Sequence, residues 1–349
     1  MANLRVNNVV GFGSTDAGVN FTGPIKLNTQ GYMYFPTGIT TQRGRGRGIF
    51  HGGYVGPSPG NSYNAQLAAV HIQSQGSFTI FGDLTQARYT TTTVGSSTRS
   101  IFAGGAIATP SPFYSVNTFD FVTIASTGNA TDFGDLITAR HGAMSNSNST
   151  RGLIIGGRTP SVLNSIEYIT IAATGNAVDF GDASDDCRFS SAASNQTRGL
   201  FALGNANPAY VNTVDFVTIQ TLGNSATFGD LTTIRAVSGA FSNSVRAVFS
   251  RGELYPGETY TNVMDFFTFS TLGNATDFGD STVSIANGMD GGCSSPTRGC
   301  TGGGRIPSGN TNVIDYVQIM TTGNAIDFGD LNVGGQYPAA LSNGHGGLG

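Results

Sequence analysis

The chain has 349 residues, of which 51 are glycine and 11% are charged, and its formal net charge is −4. A sequence isoelectric point near 5.5 argues against general nucleic-acid binding, which needs a basic footprint. No run of about 18 apolar residues marks a membrane-spanning helix, no N-terminal segment reads as a secretory signal, and three cysteines make no disulfide framework.

Residues 1–46 read as an extended arm. Short strand-forming runs, Leu4 to Phe12 and Tyr32-Met-Tyr-Phe35, alternate with turns. They hold too few apolar residues for a core of their own. Strands of this kind gain main-chain hydrogen bonds by joining another sheet. Lys26, Tyr32, Tyr34 and Phe35 are therefore the arm's candidate assembly residues. The Gly-Arg run at Arg43 to Gly48 has no interleaved aromatics and reads as a linker rather than an RNA-binding segment.

From residue 47 onward one motif recurs. Phe-Gly-Asp cores begin at Phe81, Phe133, Phe180, Phe228, Phe278 and Phe328, so the period is 47 to 52 residues. A period near 50 made of short strands is the mark of propeller blades. In residues 140–182 the four strands read as Arg140 to Ser147, Arg151 to Gly157, Asn164 to Thr174 and Ala177 to Phe180. Gly175-Asn176 is predicted to make the tight turn between the last two, since both tolerate positive φ. The equivalent pairs are Gly128-Asn129, Gly223-Asn224, Gly273-Asn274 and Gly323-Asn324.

After Asp330 a further strand is due but the repeat is incomplete, whereas Arg47 to Gly53 is a second strand without a first. Gln336 to Ser342 is therefore predicted to pair with residues 47–53 in one mixed blade. That closes a six-bladed ring over residues 47–349 and removes its free sheet edges. The fold class is all-β: a six-bladed propeller with an N-terminal extended arm.

The aspartates ending each core are Asp83, Asp135, Asp182, Asp230, Asp280 and Asp330. The arginines opening the next second strand are Arg99, Arg151, Arg198, Arg246 and Arg298, at steps of 16, 16, 16, 16 and 18 residues. A kept acid at a kept distance from a kept arginine predicts one structural contact per blade. The Asp-x-x-Asp turns, such as Asp179 and Asp182, are also the shape of a calcium seed. The leading acid is lost at Ile80 and Thr227, however, which favours a structural role. The four histidines sit at unrelated repeat positions, save that His51 and His345 are expected to meet in the closing blade. No cofactor, metal or catalytic set is predicted. Cys293 and Cys300 fall on either side of the turn at Pro296-Thr297, where a bridge is the lesser expectation.

The links after the second strands vary in length and gather Pro, Tyr and Phe. Phe113, Tyr114, Tyr210, Tyr255 and Tyr260 are the candidate binding residues, since variable loops on a repeated scaffold change contacts without harming the core.

The repeat resembles the kelch family of propellers. The features that carry the likeness are the glycine pairs Gly52-Gly53, Gly104-Gly105, Gly156-Gly157 and Gly303-Gly304, the aromatics Phe121, Tyr168, Phe216, Phe266 and Tyr316, and the late arginines Arg88, Arg140, Arg188 and Arg235. The kelch tryptophan is missing, and the last two repeats have Ile285 and Gly335 where the arginine belongs. The likeness implies architecture, not activity. Phe21 to Gly38 and the Thr-Gly-Asn-Ala-x-Asp-Phe-Gly-Asp-Leu repeat also resemble tail-fibre and virion-surface proteins of tailed bacteriophages, notably marine cyanophages. That resemblance implies a non-enzymatic structural protein of the virion, a tail fibre, appendage or capsid decoration. It would meet other virion proteins through residues 1–46, and a host-surface glycan or protein through its loops. The alternative is a carbohydrate-binding or host-adhesion propeller.

Overall fold

A computed structural model describes residues 46–348, apart from 56–61, 77, 108–113, 207–208, 257–258, 286–290 and 333. The arm with Lys26, Tyr32, Tyr34 and Phe35, and the loop residue Phe113, lie outside the described residues.

Six four-stranded antiparallel sheets make the ring. In blade III the strands run outward as Met144–Ser147, Arg151–Ile155, Ser165–Thr170 and Val178–Asp182. Blades II, IV and VI keep this plan. Blade V extends it with strands of 8 to 10 residues, from Arg235–Ser242 to Thr276–Ile285. Blade I is the mixed one: Ala339–Ser342 is its innermost strand and pairs with Arg47–His51, Gly48 facing Ser342 and His51 facing Ala339. The closure read from the sequence is thus the closure of the fold.

The Phe-Gly-Asp core has a geometric reason. Gly181 faces Ile166 and Asp179 faces Glu167, so Phe180 is the extra residue of a bulge. Its side chain turns inward and is 3% exposed. It meets the third-strand aromatic edge-on, Tyr168, with centroids 6.2 Å apart. A bulge both bends the strand and re-aims one side chain. The same shift recurs beside Phe81, Phe133, Phe228, Phe278 and Phe328.

The glycine that follows lets the next blade approach. A Cβ on Gly134 would lie 2.4 Å from the Gly175 carbonyl oxygen. That contact corrects the expected turn. The chain reverses before Gly175, where Ala173 N–H donates to Thr170 O, and Gly175-Asn176 instead docks on the preceding blade. Gly175 N–H donates to Phe133 O and Ala177 N–H to Asp135 O, at 2.8 Å each. The Asn176 Oδ1 accepts from Asp135 N–H at 3.0 Å. Asn129, Asn224, Asn274 and Asn324 repeat this contact with Asp83, Asp182, Asp230 and Asp280. A fourth strand that would expose its edge is therefore covered by its neighbour, a recognised guard against edge-to-edge pairing. At the seam from blade VI to blade I, the Asn is absent and Gln75 Nε2 reaches Asp327 O instead.

Candidate functional site

The conserved-spacing arginines do not meet the aspartates. Arg151 stacks on Tyr168 of its own blade, 4.4 Å from the ring centre, and donates to Ile219 O of the following blade at 2.9 Å. Asp135 belongs to the preceding blade, so the guanidinium points the other way round the ring. The pattern holds throughout. Arg99, Arg198, Arg246 and Arg298 stack on Phe121, Phe216, Phe266 and Tyr316. They donate to Ile171 and Ala172, Phe269, Ile319, and Ile72 and Gln73 respectively. Arg47 completes the circle on Ala125 O and the Phe81 ring. Neither Asp83, Asp135, Asp182, Asp230, Asp280 nor Asp330 forms an ion pair with these arginines. What each aspartate supplies to the repeat is its backbone.

The buried ion pairs come from the late arginines. Arg88 Nη1 lies 2.9 Å from Asp120 and Arg235 Nη2 3.0 Å from Asp265, and Arg140 pairs with Glu167. Arg188, named with them in the sequence as a late arginine, is one residue out of step. Cys187 takes the buried place, and Asp215 is left with an Oδ1 that finds no hydrogen-bond partner. Cys293 and Cys300 are register partners on adjacent strands, and both are free thiols. His51 and His345 take different partners. His51 bonds Thr91 Oγ1 and Asn64 O, and His345 Nε2 bonds Gly95 O.

One mouth of the central channel is sealed by side chains the repeat supplies. The innermost strands end on Ser147, Ser194, Ser242, Ser294 and Ser342. Hydroxyls of Ser194, Ser242, Ser294 and Ser342 each donate to the preceding serine's carbonyl oxygen. Blade II has Gly95 at this place, and His345 enters there. The one-turn helix Gly346–Leu348 then covers the serines, its glycines so close that a Cβ on Gly347 would lie 1.9 Å from Ser147 O.

The opposite mouth, formed by the loops after the second and fourth strands, carries the candidate site. Tyr54, Tyr63 and Tyr89 form a triangle of rings 5.1 to 5.8 Å apart. Tyr89 lies 6.0 Å from Tyr337, Tyr337 lies 6.3 Å from Phe189, and Phe189 lies 5.9 Å from the His141 ring. Burial, with neighbouring tyrosines adding to it, pushes the Tyr89 hydroxyl up to about 12. Of the loop residues singled out in the sequence, Tyr210 and Tyr255 stack face to face at 4.7 Å, Tyr260 lies near Tyr337, and Tyr114 is exposed on the link of blade II.

Most of this row was missed by loop variability alone, because it comes from the links that lead into the next blade. A signal did exist. Thr90, Gly142, Phe189 and Tyr337 hold equivalent positions, and all four have φ between 51° and 66°. A glycine in one copy marks a left-handed backbone that other residues adopt at a cost. Where Gly142 has no side chain, the Phe189 ring fills the space, its Cε1 2.5 Å from where a Cβ would stand.

Arg158, Arg188 and His141 stand beside these rings. Arg188 stacks on Phe189 at 5.2 Å. The Ser115 hydroxyl lies 2.9 Å from His141 Nδ1 and donates to Arg158 O. Burial first, then the charges of Arg158 and Arg188, holds the His141 imidazole down to about 4. Among the described residues, no group of three or more His, Cys, Asp or Glu side chains is placed to hold a metal ion.

No family model matches the chain and no curated protein matches it. A solved structure titled "Structure of YjhT", itself a propeller, is similar with a TM-score of 0.59 over 75% of this chain and 91% of that one, at 10% identity. At that identity the likeness is one of fold: this chain is a six-bladed β-propeller.

Proposed function

We propose that the chain is a non-enzymatic structural protein of a virus particle, held by residues 1–46, whose propeller turns its ring-lined mouth outward for recognition. The observation that carries the recognition half is the row from Tyr63 through Tyr89, Tyr337 and Phe189 to His141. Rigid aromatic surfaces with polar tips suit adaptable contact with sugars or proteins. The blade-to-blade arginine and asparagine contacts fit a body that displays a surface without changing shape. The virion half rests on the resemblance of the arm and the repeat to tail-fibre and surface proteins of tailed bacteriophages. The kelch reading of the repeat draws support from its glycine pairs: Gly104-Gly105, Gly156-Gly157 and Gly303-Gly304 all have positive φ, from 58° to 112°.

Imaging of particles assembled with the full chain and with a chain lacking residues 1–46 tests the anchoring. The full chain is expected on the particle and the shortened one absent from it, though still folded. Incorporation of the shortened chain at normal copy number refutes the anchor and favours the second reading, a free carbohydrate-binding or host-adhesion propeller. The ring row favours that reading equally.

A further inference from the structure

Resting on the recognition reading above, we infer that the mouth around Arg158, Arg188 and Phe189 binds an acidic saccharide, a sugar ring bearing a carboxylate or sulfate. The first observation is charge. In a chain of net charge −4, two arginines flank one spot: Arg158 pairs with His141 across a backbone bridge, the His141 ring lies 5.9 Å from Phe189, and the Arg188 Cζ lies 5.2 Å over that same Phe189 ring. No ion pair ties either to a carboxylate among the described residues. Arg47, Arg99, Arg151, Arg198, Arg246 and Arg298 each reach a carbonyl oxygen of the next blade, and Arg88, Arg140 and Arg235 each reach a third-strand acid. The buried Arg251 does neither, and its Nη1 has no hydrogen-bond partner. Arg158 spends one N–H on Pro160 O, and the Arg188 Nε is buried without any hydrogen-bond partner. Like charges held together without an acid cost free energy, and an anionic ligand removes that cost.

The second observation is shape. The Arg188 Cζ lies 5.2 Å over the Phe189 ring, beside the aromatic row, and a guanidinium is a planar fork that can grip a carboxylate or sulfate with two parallel hydrogen bonds. Phe189 itself holds a left-handed backbone at φ 51°, as does Tyr337 at φ 54°. The same φ recurs at Thr90 and Gly142, so the repeat imposes it, and at Phe189 and Tyr337 it holds an aromatic ring in a conformation of the kind that clusters at active sites, ligand clamps and switch regions. The third observation separates a saccharide from an acidic peptide. Phe189 continues into the row of Tyr337, Tyr89, Tyr54 and Tyr63. Successive ring faces with hydroxyl tips match the alternating apolar faces and hydroxyl rims of linked pyranoses.

The test is calorimetric titration of the full chain with oligogalacturonate and with sulfated galactan fragments. Each is set beside its neutral counterpart, the methyl ester and the desulfated fragment, and polyglutamate is a fifth probe. At least one acidic saccharide is expected to bind at least tenfold tighter than its neutral counterpart, and which one does so tells carboxylate from sulfate. The Arg158→Gln/Arg188→Gln double variant is expected to lose at least tenfold in that affinity. Arg188→Lys, which keeps the charge and loses the fork, is expected to fall between. Thermal melting of each variant separates loss of the site from loss of the fold. Equal binding of acidic and neutral forms overturns the inference while leaving recognition by the rings standing. So does undiminished binding by the folded double variant, or polyglutamate binding as tight as the saccharide. Absence of binding to every saccharide overturns the inference and the carbohydrate side of the recognition reading, leaving recognition of a protein surface.

Discussion

The pair Arg235 and Asp265 offers the sharpest test of how the blades are held. Both side chains are fully buried, 3.0 Å apart, and Asp265 also accepts from Thr232 N–H and its hydroxyl at 3.1 and 2.8 Å. Removing one partner of a buried pair strands a charge and costs about 3–5 kcal/mol. Asp265→Ala is expected at the upper end, since it strands Arg235 and orphans both Thr232 donors. Arg235→Ile is expected at the lower end, since Asp265 keeps those donors. The repeat itself shows which apolar residues the site accepts: Ile285 stands at the arginine place before blade VI, and Ala68 at the acid place in blade I. Replacement of a buried pair by apolar residues is often close to neutral, so the Arg235→Ile/Asp265→Ala double is expected to lose less than either single. Guanidinium unfolding followed by tyrosine fluorescence measures this. With a slope of about 5 kcal/mol/M, a loss of about 4 kcal/mol moves the midpoint by about 0.8 M. A double variant whose loss equals the sum of the singles refutes the argument that a stranded charge, rather than lost packing, sets the cost.

Asp182 and Arg198 take unrelated partners, Asn224 on one side and Phe269 O with the Phe216 ring on the other; substitutions at the two should therefore add within about 0.5 kcal/mol, and a clear coupling would restore the ion pair expected from their spacing. Burial, with Arg88 adding to it, holds the His51 imidazole down to about 4 from its ordinary 6.5. The unfolded chain therefore takes up the proton first, and the stability of neutral His51 is whole above pH 6.5 and lost as pH falls toward 4, by about 3 kcal/mol. His51→Gln should flatten that part of the profile, and an unchanged slope would assign it to other groups. Cys187, Cys293 and Cys300 are buried free thiols, so a thiol reagent should label none of them in the native protein and all three in denaturant. Labelling of only Cys187 in denaturant would reveal a bridge between the other two.

The difference between what the sequence made legible and what it hid follows from the direction of each contact. The strands depend on residues within one repeat, where alternation and spacing report them directly, and the ring closure follows from a strand missing at one end of the repeat array and present at the other. The partners of Asn176, Arg151 and Gly134 lie in neighbouring repeats: Asp135, Ile219 and Gly175. In a periodic chain every such residue keeps a constant distance from every other kept residue. The 16-residue step from Asp135 to Arg151 was therefore a product of the period and no measure of contact. Chemistry decides instead: a guanidinium already lying on an aromatic face seeks carbonyl oxygens along its edge, and those are offered by the next blade's turn. The same argument explains why the ring-lined mouth was only partly visible. Tyr210 and Tyr255 stood out as variable-loop aromatics, whereas Tyr89, Phe189 and Tyr337 sit in links of nearly constant length. Phe189, Tyr337 and Thr90, the neighbour of Tyr89, share a positive φ that sequence shows only where a copy happens to be glycine, at Gly142. Departures from the repeat, Phe189 for Gly142, Cys187 for arginine and Gly95 for serine, are therefore the places where this chain differs from a bare scaffold. Two of the three coincide with a strained residue beside an unpaired arginine and with the entry of His345 into the serine ring. A repeat protein carries its fold in what recurs and its individuality in what fails to recur, so function here is to be sought at the exceptions.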